Sequence, residues 1–123
     1  MRLDSSALHM GVAFAAMGGW AVFANRAHPW PEALTAGLVQ GMLSALITLL
    51  LKRMIEGVSR RLPGLSGLIL PPVLAIAGSI GALSLIHGLA GTPEIWATIA
   101  VPVSVTALYS SFYSHTIWRA RHA

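Results

Sequence analysis

The sequence predicts an all-α integral membrane protein: a four-transmembrane-helix antiparallel bundle with both termini in the cytoplasm. Three observations lead there. Charged residues make up only 10% of the 123 and hydrophobic ones 55%, with a mean hydropathy of +0.71. A soluble domain carries roughly 25% charged residues, so this chain is too poor in charge to cover a water-facing surface. The apolar residues fall in four runs, each near the ~20 residues a spanning helix needs. The basic residues are distributed very unevenly between the two ends of those runs.

The first run, 7–24, is uncharged and ends at Asn25-Arg26. A cleaved signal peptide is the rival reading, because Arg2 precedes the run. Asp4 beside Arg2 weakens the basic leader such a peptide needs, and the run is taken as a span. The second run, 33–51, follows Pro29 and Pro31, and proline suits a helix start. Beyond it, 52–62 turns amphipathic: Met54, Ile55, Val58 and Leu62 alternate with Lys52, Arg53, Glu56, Arg60 and Arg61. This reads as the helix leaving the membrane and stopping at Pro63-Gly64. The third run, 65–89, holds Pro71-Pro72, which should kink the helix or force its start downstream. The fourth, 95–117, follows Thr92-Pro93-Glu94, with Thr92 as the expected N-cap. All four form a single transmembrane domain, 1–123.

Seven basic residues (Arg2, Lys52, Arg53, Arg60, Arg61, Arg119, Arg121) fall on one side of the membrane and only Arg26 on the other. Positive residues collect on the cytoplasmic side, so both termini lie inside. Trp20, Trp30 and Trp96 then mark the outer interface, and Tyr113 and Trp118 the inner one. Lys52 is the only lysine, and Ala, Gly and Leu abound. This composition points to a bacterium of high GC content, hence to a multi-pass inner-membrane protein. The net charge of +4 sits beside apolar runs, where it suits anionic lipid headgroups at Lys52, Arg53, Arg60 and Arg61 rather than nucleic acid.

Helices in lipid associate through small residues and interhelical hydrogen bonds. Four-residue spacing of small residues nominates Gly11, Ala15 and Gly19 on the first span, Gly37, Gly41 and Ala45 on the second, Gly78 and Ala82 on the third, and Ala100, Ser104 and Ala107 on the fourth. Four spans enclose too little for a wide pore, so a homo-oligomer or a larger membrane complex is expected.

Candidate substrate-binding residues are few. Gln40, Ser44 and Thr48 share one face of the second helix and could line a path or meet a headgroup; ordinary interhelical bonding is the alternative. Arg26, His28 and His87 fall in or near the outer loops with Asn25, Glu32 and Glu94, where Arg26 could hold an anionic group. The alternative is a solvated loop. Inside, His9, Tyr109, Ser110, Tyr113 and Pro71-Pro72 approach one depth and could frame a vestibule or serve as interfacial anchors. No Asp, Glu, Lys or Arg lies within the apolar core of any span. The buried acid on which proton-coupled exporters commonly depend is therefore missing.

The chain has no cysteine, which excludes disulfides, thiolate metal sites and cysteine nucleophiles. Hydrolase, zincin, P-loop and dinucleotide motifs are absent, so no catalytic residue, metal or cofactor is assigned and enzymatic activity is the least favoured class. The expected function is an oligomeric transporter or flippase-like component for an amphipathic or anionic lipid-linked substrate. The competing expectation is a non-catalytic accessory or assembly subunit. Reporter fusions after Glu56 and after Ala123 should report cytoplasm, and a fusion after Ala90 the outside. A C-terminus found outside would replace four spans with an odd number.

Overall fold

The computed structural model describes the backbone of residues 2–122 and side chains from residue 7 to residue 122. The Arg2 and Asp4 side chains and Ala123, used above, lie outside it. Four helices account for the described chain: α1 Arg2–Ala24, α2 Trp30–Arg61, α3 Ser66–Ala90 and α4 Ile95–Arg121. Each is long and apolar enough to cross a membrane. At 32 residues α2 is about 48 Å long. That exceeds a ~30 Å hydrocarbon core, and its basic last turns, Arg60 and Arg61, complement the helix dipole.

Pro71 and Pro72 lie inside α3 without delaying its start, which is Ser66. A proline at 72 removes the donor that the Leu68 carbonyl would receive. The Ser114 hydroxyl of α4 supplies a replacement, donating to that carbonyl at 2.8 Å. Thr92 is not the N-cap of α4. Glu94 holds that position without a side-chain cap, and Thr92 is turned back onto α3 by Gly91, whose φ is +77°. That left-handed turn is one glycine adopts readily.

α2 touches all three other helices. α1 contacts α2 and α4, α3 contacts α4 and α2, and α1 and α3 share no contact. This pattern has a sequence counterpart. Shifting the chain by 62 residues (25 to 87) aligns Ala13 with Ala75, Gly19 with Gly81, Pro31-Glu32 with Pro93-Glu94, Ala45-Leu46 with Ala107-Leu108 and Ile55 with Ile117. The same shift superposes the burial pattern: Ala21 on Leu83, Asn25 on His87, Ala36 on Thr98, Gln40 on Pro102 and Ser44 on Thr106 are buried in both. The α1–α2 and α3–α4 hairpins thus share part of their sequence and burial pattern, while α2 and α3 lie closer together than α1 and α4.

Small residues do govern the tightest contact, though not all at the expected positions. A Cβ on Gly18 would stand 2.9 Å from the Gly37 carbonyl oxygen, and one on Gly41 would stand 3.0 Å from the Phe14 carbonyl oxygen. Gly37 and Gly41 thus pack as expected. Gly11, Ala15 and Gly19 are exposed, and Gly18 and Ala21 take their place. Likewise Gly78, Ala82, Ala100 and Ser104 face outward. The buried lines are Gly67-Pro71-Ala75-Ser79-Leu83-His87 on α3 and Thr98-Pro102-Thr106-Ser110-Ser114 on α4. Small apolar residues meet lipid at little cost, so smallness does not mark the contact face.

Gly18→Leu and Gly41→Leu should each destabilise the detergent-solubilised protein by about 1–3 kcal/mol through overpacking. Gly11→Leu, Gly19→Leu and Gly57→Leu should leave its thermal midpoint nearly unchanged. Equal losses at Gly18 and Gly19 would show that the α1–α2 contact is misassigned.

Candidate functional site

A cleft of about 450 Å³ lies between α1 and α4, in the half of the molecule nearer the termini. Leu8, Val12, Ala13, Ala16 and Met17 of α1 form one wall, and Pro102, Val105, Thr106 and Tyr109 of α4 the other. Ser44, Ile47, Thr48 and Leu51 of α2 line its floor, with Leu83 of α3. The cleft is mostly apolar, with hydroxyls along it and His9 and Tyr109 toward the termini. Ligand sites of comparable size are typically apolar with few polar groups.

The cleft exists because α1 and α4 are tied at one end only. Near the α1–α2 and α3–α4 loops, the Trp20 indole N–H donates to the Ala97 carbonyl at 2.9 Å. Asn25, fully buried, donates through Nδ2 to the Ala21 carbonyl at 2.8 Å and to Thr98 Oγ1 at 2.7 Å. Its Oδ1 accepts the Glu94 amide at 2.9 Å. Asn25 thereby caps α4 from another helix, satisfying an amide that the α4 start would leave orphaned. Across the loops His28 Nε2 lies 2.7 Å from Glu94 Oε2. Toward the termini no such bond joins α1 to α4 among the described side chains. Only 11% of the α1 span is buried, against 28% for α3 and α4.

A second polar chain closes the α2–α3 side. Gln40 Oε1 can only accept, so the 2.7 Å contact with His87 Nε2 places a proton on that nitrogen. His87 Nδ1 meets Thr92 Oγ1 at 2.6 Å, and the Gln40 amide donates to Ser44 Oγ at 2.8 Å. The chain therefore runs from the Thr92 loop through His87 and Gln40 to Ser44 on the cleft floor. His87 and Gln40 are fully buried, where each needs its partner.

The structure thus brings Gln40, Ser44 and His87 together and places Ser44 and Thr48 on the cleft. The Thr48 hydroxyl donates to the Ser44 carbonyl at 2.8 Å, within its own helix. Arg26 and His28 are not joined to that chain. Arg26 is exposed, donates to the Phe23 carbonyl at 2.9 Å and lies 3.9 Å from the Phe23 ring centroid, a cation–π contact; it pairs with neither Glu32 nor Glu94. His28 pairs with Glu94, whereas His87 turns inward. Of the inner group, His9 and Tyr109 line the cleft, but Tyr113 donates to Glu56, and Ser110, Pro71 and Pro72 lie elsewhere. Beside them Trp118 donates to the Gly64 carbonyl at 2.9 Å and Arg121 to the Ser59 carbonyl, closing the α2–α4 ends.

Asn25 and Thr98 escape a reading that places Asn25 in a solvated loop. Compared with known proteins, the chain matches no protein family, no curated sequence and no solved structure.

Gln40→Leu should cost about 1–3 kcal/mol, the penalty of a buried donor left unpaired on His87. Adding His87→Leu should cost less than the sum of the two single losses, read from thermal unfolding in detergent. Additive losses would mean the two residues act independently.

Proposed function

We propose that this chain is a bacterial inner-membrane transporter or flippase-like component that handles an amphipathic, lipid-type molecule. Its four spans are read as an antiparallel bundle with both termini and the α2–α3 loop in the cytoplasm, on the seven-to-one distribution of basic residues. The observation that carries the proposal is the position of the cleft. It lies between the first helix of one hairpin and the second helix of the other, at the interface of the two hairpins. Transporters built from repeats place substrate at such an interface and move by rocking one unit against the other.

In this orientation the cleft is an inner-leaflet chamber. Its outer end is shut by Trp20–Ala97, Asn25–Thr98, Asn25–Glu94 and His28–Glu94. The α2–α3 side is shut by Gln40–His87. A handful of hydrogen bonds, each worth about 0.6 kcal/mol on average between membrane helices, is a closure that substrate binding energy suffices to break. Gln40, Ser44 and Thr48 serve as floor and closure. Arg26 and His28 stand at the closed outer end, where Arg26 is exposed and meets an anionic group only by giving up the Phe23 carbonyl. The basic inner end, including Lys52, Arg53, Arg60 and Arg61, faces anionic headgroups.

The accessory-subunit reading draws on a different observation. Gly11 and Gly19 on α1 and Gly78 and Gly81 on α3 are exposed, with open space where a Cβ would go. Faces of this kind admit a neighbouring helix, from a second copy or a larger complex.

Proteoliposomes of phosphatidylcholine with a trace of headgroup-labelled fluorescent phosphatidylglycerol separate the two. The protein should raise the share of fluorescence quenched by external dithionite above that of empty vesicles. Ala16→Trp, which fills the cleft, should abolish the increase without lowering the thermal midpoint. Quenching equal to that of empty vesicles defeats the transporter reading and leaves the accessory one.

A further inference from the structure

The cleft has a graded chemistry along its length, and the grading specifies an occupant. We infer that it binds a single-chain acyl ester with an anionic phosphate head, of the lysophospholipid kind, with the head at the termini end and the chain toward Met17 and Leu83. This deepens the transporter reading and rests on its cleft.

The argument begins with α2. Ser44, Thr48 and Lys52 are spaced four residues apart, so they form one ridge. Ser44 and Thr48 line the cleft floor, and Lys52, exposed, is the next residue of that ridge toward the inner surface. Lys52 is not part of the lining; it stands about one helical turn beyond Thr48, toward the inner surface. His9 on α1 and Tyr109 on α4 flank the same end. The Tyr109 ring stacks on Tyr113 with centroids 5.6 Å apart, which fixes its orientation, and its hydroxyl bonds no described residue. One lysine, one histidine and one phenol supply donors for a single anionic group, and a phosphate accepts from all three.

Thr106 points to the ester. It lines the cleft at 7% exposure, and its hydroxyl has no partner among the described residues, whereas Thr35, Thr48, Thr98 and Thr116 all bond the carbonyl four residues back. Thr106 lines the cleft with its hydroxyl unbonded, and an ester carbonyl of the occupant accepts a hydrogen bond from it. Thr106 lies three residues from Tyr109 on α4, about 4.5 Å deeper. In a glycerophosphate ester the acyl carbonyl likewise sits a few bonds deeper than the phosphate. Beyond Thr106 the lining is apolar, as an acyl chain requires.

Room for the chain comes from a difference between the two hairpins. In the second hairpin Pro71, Ala75 and Ser79 are buried, and Ala75 packs with Leu51 and Ile55 of α2. Their counterparts in the first hairpin, His9, Ala13 and Met17, line the cleft instead. An interface that one hairpin closes with side chains, the other leaves for a ligand. Its 450 Å³ lies at the small end of the roughly 300–1,000 Å³ of ligand sites, which favours one chain over two.

The test is binding to the full chain in phosphatidylcholine nanodiscs, read by native mass spectrometry with added lipid. Palmitoyl-lysophosphatidylglycerol should bind saturably at one per chain and more tightly than monopalmitoylglycerol or palmitate. Lys52→Gln should weaken it about tenfold, the loss of one charge-assisted contact, with monopalmitoylglycerol unaffected. Thr106→Val should weaken the lysolipid and leave palmitate unchanged, which separates loss of the ester contact from a general loss of fold. The assignment is overturned if Lys52→Gln has no effect, if palmitate equals the lysolipid, or if diacyl phosphatidylglycerol outcompetes it. Binding needs no transport. Lysolipid binding without exchange removes the transporter reading and keeps the site; exchange without lysolipid binding removes the site and keeps the transporter.

Discussion

A hydrogen-bonding group inside an apolar medium must find its partner within the protein, and Asn25 and His87 are where this chain meets that demand. Asn25 directly follows α1 and His87 lies in the last turn of α3, and each reaches a helix of the other hairpin: Asn25 to Thr98 of α4, His87 to Gln40 of α2. The two hairpins are locked at this level because neither side chain can be satisfied without the other unit. Gly91 completes the lock by turning Thr92 onto His87.

The rest follows from tying one end and not the other. With α1 pinned to α4 near the loops, the glycine contact of Gly18, Gly37 and Gly41 binds α1 to α2 alone. The half of α1 away from the loops then stands apart from α4, and the cleft is the consequence. At the same level α3 lies close against α2, and α2 and α4 are joined by Tyr113–Glu56 and Arg121–Ser59. α1 is thus held chiefly by α2, and its span is the least buried of the four.

The fold was legible in the sequence because membrane physics acts on long stretches. Twenty apolar residues announce a helix whatever they touch. The continuation of α2 through Ile55 and Ser59 was also readable, because the apolar positions kept helical spacing past Lys52. The contact faces were not. Gly11 and Gly19 look as suitable for packing as Gly18, and only the three-dimensional partner, the Gly37 carbonyl, distinguishes them.

The sequence by itself determined four apolar helices, the uneven charge and the Gln40-Ser44-Thr48 ridge, since composition and helical periodicity are local properties. Only the tertiary structure decided that Asn25 is buried, that His87 partners Gln40 rather than Glu94, that Arg26 turns to Phe23, and that Ser44 and Thr48 face a cleft with His9 and Tyr109. The Asn25–Thr98 and His87–Gln40 contacts join residues 73 and 47 positions apart. Such contacts are set by how the two hairpins settle against each other, and no local pattern along the chain encodes that geometry.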